Sequence, residues 1–387
     1  MKIFQINSVC GIKSTGRICT DLASIIEKAG GECHIGYGRE NVPEKYKSIS
    51  TQIGNKISVY SDVILSRVFD NAGFNSHKAT KRLIEKIKSF EPDIIHLHNL
   101  HGYYVNIELL FNFLKEYKKP VVWTLHDCWA FTGHCAYFSG CDKWRTHCEK
   151  CPQKKEYPRS LLCDKSYLNY DKKKSLFASV DEMVIVTPSV WLKELAESSF
   201  LNKYPIKVIN NGIDKNIFKP TESDFSKRYG IEDKKIVLGV ASVWDQRKGF
   251  DSFLKLAEML DERYVIVLVG VSEKQKKTLP ANIIGISRTN SAKELAEIYT
   301  ASDVFVNPTL QDNYPTTNLE AQACGTPVIT FRTGGSVESV TSQGIVEQGD
   351  LEGLKEKIID MGLDICSVPE KDMQYQKYVE LYKDLMQ

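Results

Sequence analysis

At 387 residues the chain is long enough for more than one core, roughly two to three domains by length alone. Hydrophobic residues make up 42% and charged residues 26%, ordinary for a globular protein, and a net charge of +2 excludes a global field built for nucleic acid. The opening "MKIFQINSVCGIKSTGR" lacks the apolar core of a secretory signal, and no run approaches the roughly 18 apolar residues that span a bilayer. A cytoplasmic protein is expected, and its eleven cysteines read as thiols or metal ligands rather than disulfides.

In chain order, "KIFQIN" reads as a strand. The turn "SVCGIKSTGR", 8–17, carries Gly11 and Gly16 and leads into a helix predicted over 17–29. There Ile18, Leu22, Ile25 and Ile26 share a face, and Gly30-Gly31 stops it. "CHIGYG" is a second strand, a helix follows over 77–90, and "DIIHLHN" and "VVWTLHD" are further strands. Residues 128–175, rich in Cys, Lys and aromatics, show little periodicity and read as an insertion. "MVIVTPS" closes the first half, and "SFLNKYPI", 199–206, reads as a linker. The alternation then restarts with "IKVINNG", "KIVLGVA", a helix over 251–260, "YVIVLVG", "NIIGIS", a helix over 291–301, "DVFVNPT", a short helix over 316–324 and "TPVITF". Nearly all-apolar strands alternating with helices imply an α/β fold with parallel sheets buried on both faces. The expected division is a first domain over 1–200, a second over 201–368, and a terminal helix within 369–387 that packs back on the first domain.

Four stretches carry candidate chemistry. The Gly11–Gly16 turn would let a ligand approach a helix N-terminus, although a plain βα turn explains it as well. In "WTLHDCW", His126 ends a strand, where open α/β sheets bind ligands. In "ASVWDQRKGFD", Arg247 and Lys248 stand before a helix start, a place the helix dipole reserves for anions; a phosphate would resolve that conflict. In "PTLQDNYPTTNLEAQACGTPVIT", a helix starts after Pro315, and the N–H groups of Thr316, Thr317, Asn318 and Leu319 are expected to be free for a diphosphate. Glu320 lies one turn in, suited to the paired hydroxyls of a ribose, and Asp312 lies before the turn, suited to sugar hydroxyls.

These residues resemble family 4 of the retaining glycosyltransferases. The family pattern is an acidic residue, seven residues, then Glu; here it is Asp312 and Glu320, with Asp where most members have Glu. The resemblance extends through "VWDQRKGFD", "VINNGIDKNIF", "ASDVFVNPT", "EAQACGTPVI" and the "TLHD" strand end, and so spans nearly the whole chain. It implies the GT-B fold, two Rossmann-like domains facing across a cleft. It also implies a nucleotide-diphosphate sugar donor on the second domain and an acceptor mainly on the first. By position, Arg247 and Lys248 would bind the diphosphate, Glu320 the ribose and Asp312 the donor sugar. Thr316, Thr317, Asn318 and Leu319 would give backbone contacts. His126 would lie at the reacting centre, and the Gly11–Gly16 loop near the diphosphate. No cofactor or divalent metal is implied for catalysis. The acceptor would be a saccharide or lipid-linked molecule, as in bacterial surface-polysaccharide synthesis.

Within the insertion, Cys148-x2-Cys151 has zinc-ligand spacing, and Cys135 and Cys141 would complete four thiolates; free thiols or two disulfides are the equal alternative. Trp129 and Trp144 would sit on the acceptor side. Helix 77–90, with Lys78, Lys81, Arg82, Lys86 and Lys88 against Leu83, Ile84 and Ile87, reads first as an ordinary surface helix. Its alternative is a peripheral contact with the cytoplasmic face of the inner membrane. Two other functions stay open: a non-catalytic nucleotide-sugar-binding scaffold, and a nucleotide-sugar epimerase of the same fold.

Overall fold

The computed structural model describes residues 1–387, which divide into two compact units: 1–209 with 375–387, and 210–374. In the first unit seven strands form one sheet: β1 (Lys2–Asn7), β2 (Glu32–Tyr37), β3 (Ser50–Gln52), β4 (Ile94–Leu97), β5 (Val121–Thr124), β6 (Met183–Thr187) and β7 (Ile206–Val208). Their order is β3-β2-β1-β4-β5-β6-β7, and every pairing is parallel. In the second unit β8 (Lys235–Val240), β9 (Tyr264–Val269), β10 (Ile283–Ile286), β11 (Val304–Asn307), β12 (Val328–Phe331) and β13 (Ile345–Val346) form a parallel sheet ordered β10-β9-β8-β11-β12-β13. Each sheet therefore reverses its winding once, between β1 and β4 in the first unit and between β8 and β11 in the second. Ligands of open α/β sheets bind at such reversals, beyond the carboxyl ends of the strands.

Burial explains why these segments became strands. All six residues of β9 and all four of β4 are buried, as strands covered on both faces must be. Helix Lys13–Lys28 lays Ile18, Leu22, Ile25 and Ile26 onto the first sheet. Each such side chain contributes roughly 1.5–3 kcal/mol when fully buried.

The sequence expectations need adjustment in three places. The helix expected over 17–29 begins at Lys13, so Gly16 lies inside it and not in the preceding loop. "IKVINNG" was expected in the second half, but β7 pairs with β6, and the break between units falls after Ile209 rather than after residue 200. The insertion expected over 128–175 is irregular only to about residue 165, since Ser166–Phe177 is helical. That helix buries Asn169 and Lys173 beside Tyr170 and Phe177, so it shows no hydrophobic period. Helix His77–Phe90 is the ordinary surface helix expected first: it buries Leu83 and Ile87 in the core, with Ile84 packed against it, so its apolar face is covered by protein and not offered to lipid.

The last helix, Lys371–Leu385, starts in the second unit and ends in the first. Tyr375, Tyr378, Val379 and Tyr382 join the core on one side of the first sheet. The Tyr382 hydroxyl bonds His96 Nδ1 at 2.6 Å, and the Tyr378 hydroxyl bonds the Thr124 hydroxyl at 3.1 Å.

Candidate functional site

In the second unit, the loops after β8 and β11 flank the winding reversal. They are stitched together: Leu310 N–H donates to the Arg247 carbonyl at 2.7 Å, and Arg247 Nη1 donates to the Gln311 carbonyl at 2.9 Å. Two glycines permit the close approach. Gly249 has φ +76°, and a Cβ there would lie 2.2 Å from the Pro308 carbonyl oxygen. Gly334 has φ +53°, and a Cβ there would lie 2.1 Å from the Asp312 carbonyl oxygen. Only glycine fits either position without strain.

The three charged residues expected at this reversal are brought together. Lys248 Nζ meets Asp312 Oδ2 at 2.5 Å, with both side chains mostly out of water. Burial alone would raise the Asp312 pKa, but Lys248 and Arg247 outweigh it and hold the carboxyl below its ordinary value. The carboxylate is therefore ionised at neutral pH, and the three residues together carry one net positive charge at the switch point.

Helix Thr316–Ala323 follows directly, with Pro315 as its N-cap and no side-chain cap. Here the expectation of four free N–H groups is too generous. Asn318 N–H donates to the Pro315 carbonyl at 3.2 Å. Leu319 stands fourth in the helix, where N–H groups already bond back within it. The uncapped donors are those of Thr316 and Thr317. Asn318 works inward instead: its side chain accepts from Asn307 at 2.8 Å and donates to the Ser339 hydroxyl at 2.9 Å. Leu319 is core. Glu320 is 92% shielded, only 8% exposed, and accepts from the Tyr299 hydroxyl at 3.1 Å. That bond fixes one carboxylate oxygen and so aims the other.

In the first unit, the loops after β1 and β4 flank the other reversal. Gly11 N–H donates to the Gly16 carbonyl at 2.9 Å, which closes the turn before helix Lys13–Lys28. Beside it runs a relay of neutral groups. Gln5 Nε2 donates to the Cys19 carbonyl at 2.9 Å, so its Oε1 faces His98 and accepts from Nε2–H at 3.0 Å. His98 Nδ1 is then an acceptor, and it takes the Nε2–H of His126 at 3.0 Å. The chain thus fixes the His126 tautomer. Burial drives the His126 pKa to about 4, with His101 pushing the same way and Asp127 opposing, so the ring is neutral at pH 7.

Sequence reasoning missed two neighbours. His101 Nε2 bonds Asp127 Oδ2 at 2.5 Å, and its Nδ1 bonds the Tyr157 hydroxyl at 3.0 Å. Arg39, just past β2, keeps its buried Nε without a partner. The signal available for both was position after a strand of a parallel sheet; Arg39 lies in no motif and His101 is three residues past the "HLH" strand end. Trp129 and Trp144, expected to face an acceptor, are 2% and 1% exposed and belong to the core. The four cysteines Cys135, Cys141, Cys148 and Cys151 line one small cavity. With the side chains as they stand, no three His, Cys, Asp or Glu converge at ion-holding spacing.

Two parallel sheets of Rossmann type, one with a cationic cluster at its switch point, make a two-domain α/β architecture with fixed charge where such sheets bind ligands. Comparison with known families agrees: the model described as Glycosyltransferase Family 4 matches residues 15–216, and that described as Glycosyl transferases group 1 matches 221–379. The chain belongs to glycosyltransferase family 4. It is 24% identical over 360 residues to the putative colanic acid biosynthesis glycosyl transferase WcaC of Escherichia coli (strain K12), covering 89% of this chain and 86% of that one. It is 30% identical over 175 residues to D-inositol 3-phosphate glycosyltransferase of Corynebacterium jeikeium (strain K411), covering 40% and 42%. Among solved structures, sucrose-phosphate synthase from Thermosynechococcus elongatus superposes with a TM-score of 0.72 at 14% identity, covering 99% of this chain and 98% of that one. Anabaena HepE in complex with UDP and glucose gives 0.69 at 14% identity, covering 99% and 100%. These neighbours are glycosyltransferases of the GT-B fold.

Proposed function

We propose that the chain is a retaining, metal-independent glycosyltransferase that moves a sugar from a nucleotide-diphosphate donor to a saccharide or lipid-linked acceptor in polysaccharide synthesis. The observation that carries this is the grouping of Arg247, Lys248 and Asp312 beside the uncapped N–H groups of Thr316 and Thr317. A net cation next to a helix N-terminus suits an anionic ligand such as a diphosphate. The names of two similar proteins support the substrate class: WcaC is named a putative colanic acid biosynthesis glycosyl transferase, and HepE was solved with UDP and glucose.

In this reading the leaving nucleoside diphosphate gains charge as the glycosidic bond breaks. Arg247, Lys248 and the two N–H dipoles offset that charge, with Lys248 shared between Asp312 and the phosphate. Glu320 holds the ribose and Asp312 a donor-sugar hydroxyl. His126, neutral and fixed in its tautomer, hydrogen-bonds at the reacting centre without placing a charge beside an oxocarbenium-like carbon. The leaving phosphate itself helps to deprotonate the acceptor on the same face, which gives retention. Chromatographic measurement of nucleoside diphosphate release, with and without a panel of acceptors, tests the reading. Acceptor-dependent release supports it. Tight donor binding with no release under any acceptor favours a scaffold, and interconversion of the donor sugar favours an epimerase.

A membrane-borne acceptor is favoured by helix Lys56–Phe69, which is turned inside out. Its buried residues are Asp62 and Ser66, bonded to each other and to Asn75. Its outer face carries Ile57, Tyr60, Ile64, Leu65 and Phe69, all exposed. The loop bearing exposed Leu161 and Leu162 is tied to the end of this helix through Leu161 N–H to the Arg67 carbonyl at 2.6 Å. Lys56, Lys165 and other cations lie on the same two segments. An apolar face edged with cations suits an anionic lipid surface. No helix is long and apolar enough to cross a membrane. Co-sedimentation with vesicles containing phosphatidylglycerol should be lost in Ile57→Glu with Ile64→Glu; equal binding by that variant would reject this face as the contact.

A further inference from the structure

The stretch between Leu125 and Lys165 holds only two short 3-10 turns, Trp129–Phe131 and Lys143–Arg145. Loops of this length are uncommon in a compact domain unless something other than regular hydrogen bonding orders them. Here four thiols share the lining of one cavity. Cys135, Cys141, Cys148 and Cys151 all line one cavity of about 10 Å³, space for a single water-sized body. Their separations are five, six and two residues.

Backbone N–H groups reach two of the sulfurs. Gly133 N–H donates to Cys148 Sγ at 3.2 Å, and Gln153 N–H donates to Cys151. Cys135 and Cys151 share a hydrogen bond. A Cβ on residue 133 would sit 2.7 Å from the Cys148 Cβ and 2.1 Å from the Ser166 carbonyl oxygen, so glycine is what lets the backbone reach this sulfur. Backbone N–H groups aimed at sulfur are the usual outer support of metal-bound cysteine. Beside the cluster lies Lys173, 1% exposed, with Nζ donating to the carbonyls of Trp129 at 2.8 Å and Thr132 at 3.1 Å. Its ammonium also lies over the Trp129 ring at 3.5 Å, with Asp70 and Asp127 as the carboxylates that offset part of its burial, and a further anion nearby would offset more.

We propose that Cys135, Cys141, Cys148 and Cys151 bind one structural Zn²⁺ as a tetrathiolate that orders the 128–165 loop. Binding is 4 R–SH + Zn²⁺ → [Zn(S–R)4]²⁻ + 4 H⁺, with no change of oxidation state. The thiols as placed are not yet at ligand spacing. Side-chain rotation into the shared cavity closes the set, and the doubly negative centre adds to the counter-charge that Asp70 and Asp127 give Lys173. Four protein ligands leave no open position, so the role is structural and not catalytic. This inference does not rest on the donor reading.

The test uses the full chain, purified under reducing conditions without chelator. Elemental analysis should find about one zinc per chain. Replacement by Co²⁺ should give the visible absorption of tetrahedral cobalt thiolate in the unaltered chain. Cys148→Ser with Cys151→Ser should lose both signals, whereas Cys324→Ser with Cys366→Ser, in the other unit, should keep them. The proposal is overturned if the reduced, unaltered chain takes up neither metal, or if the Cys148→Ser, Cys151→Ser variant still binds one. Mass spectrometry showing Cys135, Cys141, Cys148 and Cys151 paired as disulfides in the freshly isolated chain would likewise reject it. Because the first readouts need no variant, a substitution that fails to fold does not blunt the test.

Discussion

The two winding reversals have the same topology and opposite electrostatics. The one in the second unit is built of permanent charges, Arg247, Lys248 and Asp312, with a helix N-terminus beside them. The one in the first unit is built of histidines held neutral, His98 and His126, on a glutamine and a carbonyl. All eight histidines of the chain lie in the first unit, and the second has none. In the proposed function this difference is how one fold serves two tasks. A diphosphate needs fixed positive charge. A sugar hydroxyl or a cationic transition state is better met by neutral donors and acceptors, which cost less to bury and repel nothing.

Breaking the charged reversal should have the largest effect. Arg247→Ala and Lys248→Ala each remove a charge-assisted bond to the proposed diphosphate, and Glu320→Gln weakens the ribose contact. Each should lower turnover roughly ten- to a hundredfold, with circular dichroism unchanged. Near-normal rates in all three would remove the diphosphate from this reversal.

The neutral reversal can be broken with acid. His126 has its folded pKa lowered to about 4, and His96 to about 3, by burial in each case first. The unfolded chain titrates near 6.5, so between those values it binds more protons than the folded one. Stability therefore rises with pH across this window and is lost as pH falls from about 6.5 toward 4. For His126 alone the loss by pH 5 is on the order of 2 kcal/mol. Amide hydrogen exchange at pH 7 and pH 5 should show protection falling in 1–209 before 210–374. The reverse order would mean that these histidines are already charged in the folded protein.

A subtler change sharpens the contrast within the charged cluster. Asp312→Asn should cut the rate with the natural donor by roughly tenfold, since a charged hydrogen bond to the sugar is lost. It also releases Lys248 from its ion pair, so binding of the free nucleoside diphosphate, measured by calorimetry, should not weaken. Equal losses in both would show that Asp312 shapes the loop on which Gly334 and Gly335 rest and does not read the sugar. Asp312→Glu should be the mildest replacement.

The smallest expected effect is that of chelation. With Arg247 and Lys248 neutralising the leaving group, brief EDTA during assay should leave the rate within about twofold. Full loss restored by Mg²⁺ or Mn²⁺ would reject the metal-independent mechanism. Slow loss restored only by Zn²⁺ would point to the cysteine loop.

The sequence by itself determined the parallel α/β class, because strands such as "YVIVLV" are apolar on both faces and can be buried only between helix layers. It also located the Arg-Lys turn and the Asp312–Glu320 stretch, because glycine, proline and charge at strand ends leave a local signature. Local pattern could not show that Asn318 turns inward to Asn307 and Ser339, or that helix Lys56–Phe69 hides its aspartate and exposes its isoleucines. Nor could it show that His126 is held neutral through His98 and Gln5, residues about 30 and 120 positions away in the chain. These facts depend on which strands lie side by side. Strand order is set by long-range packing of the whole sheet, and no single segment carries it.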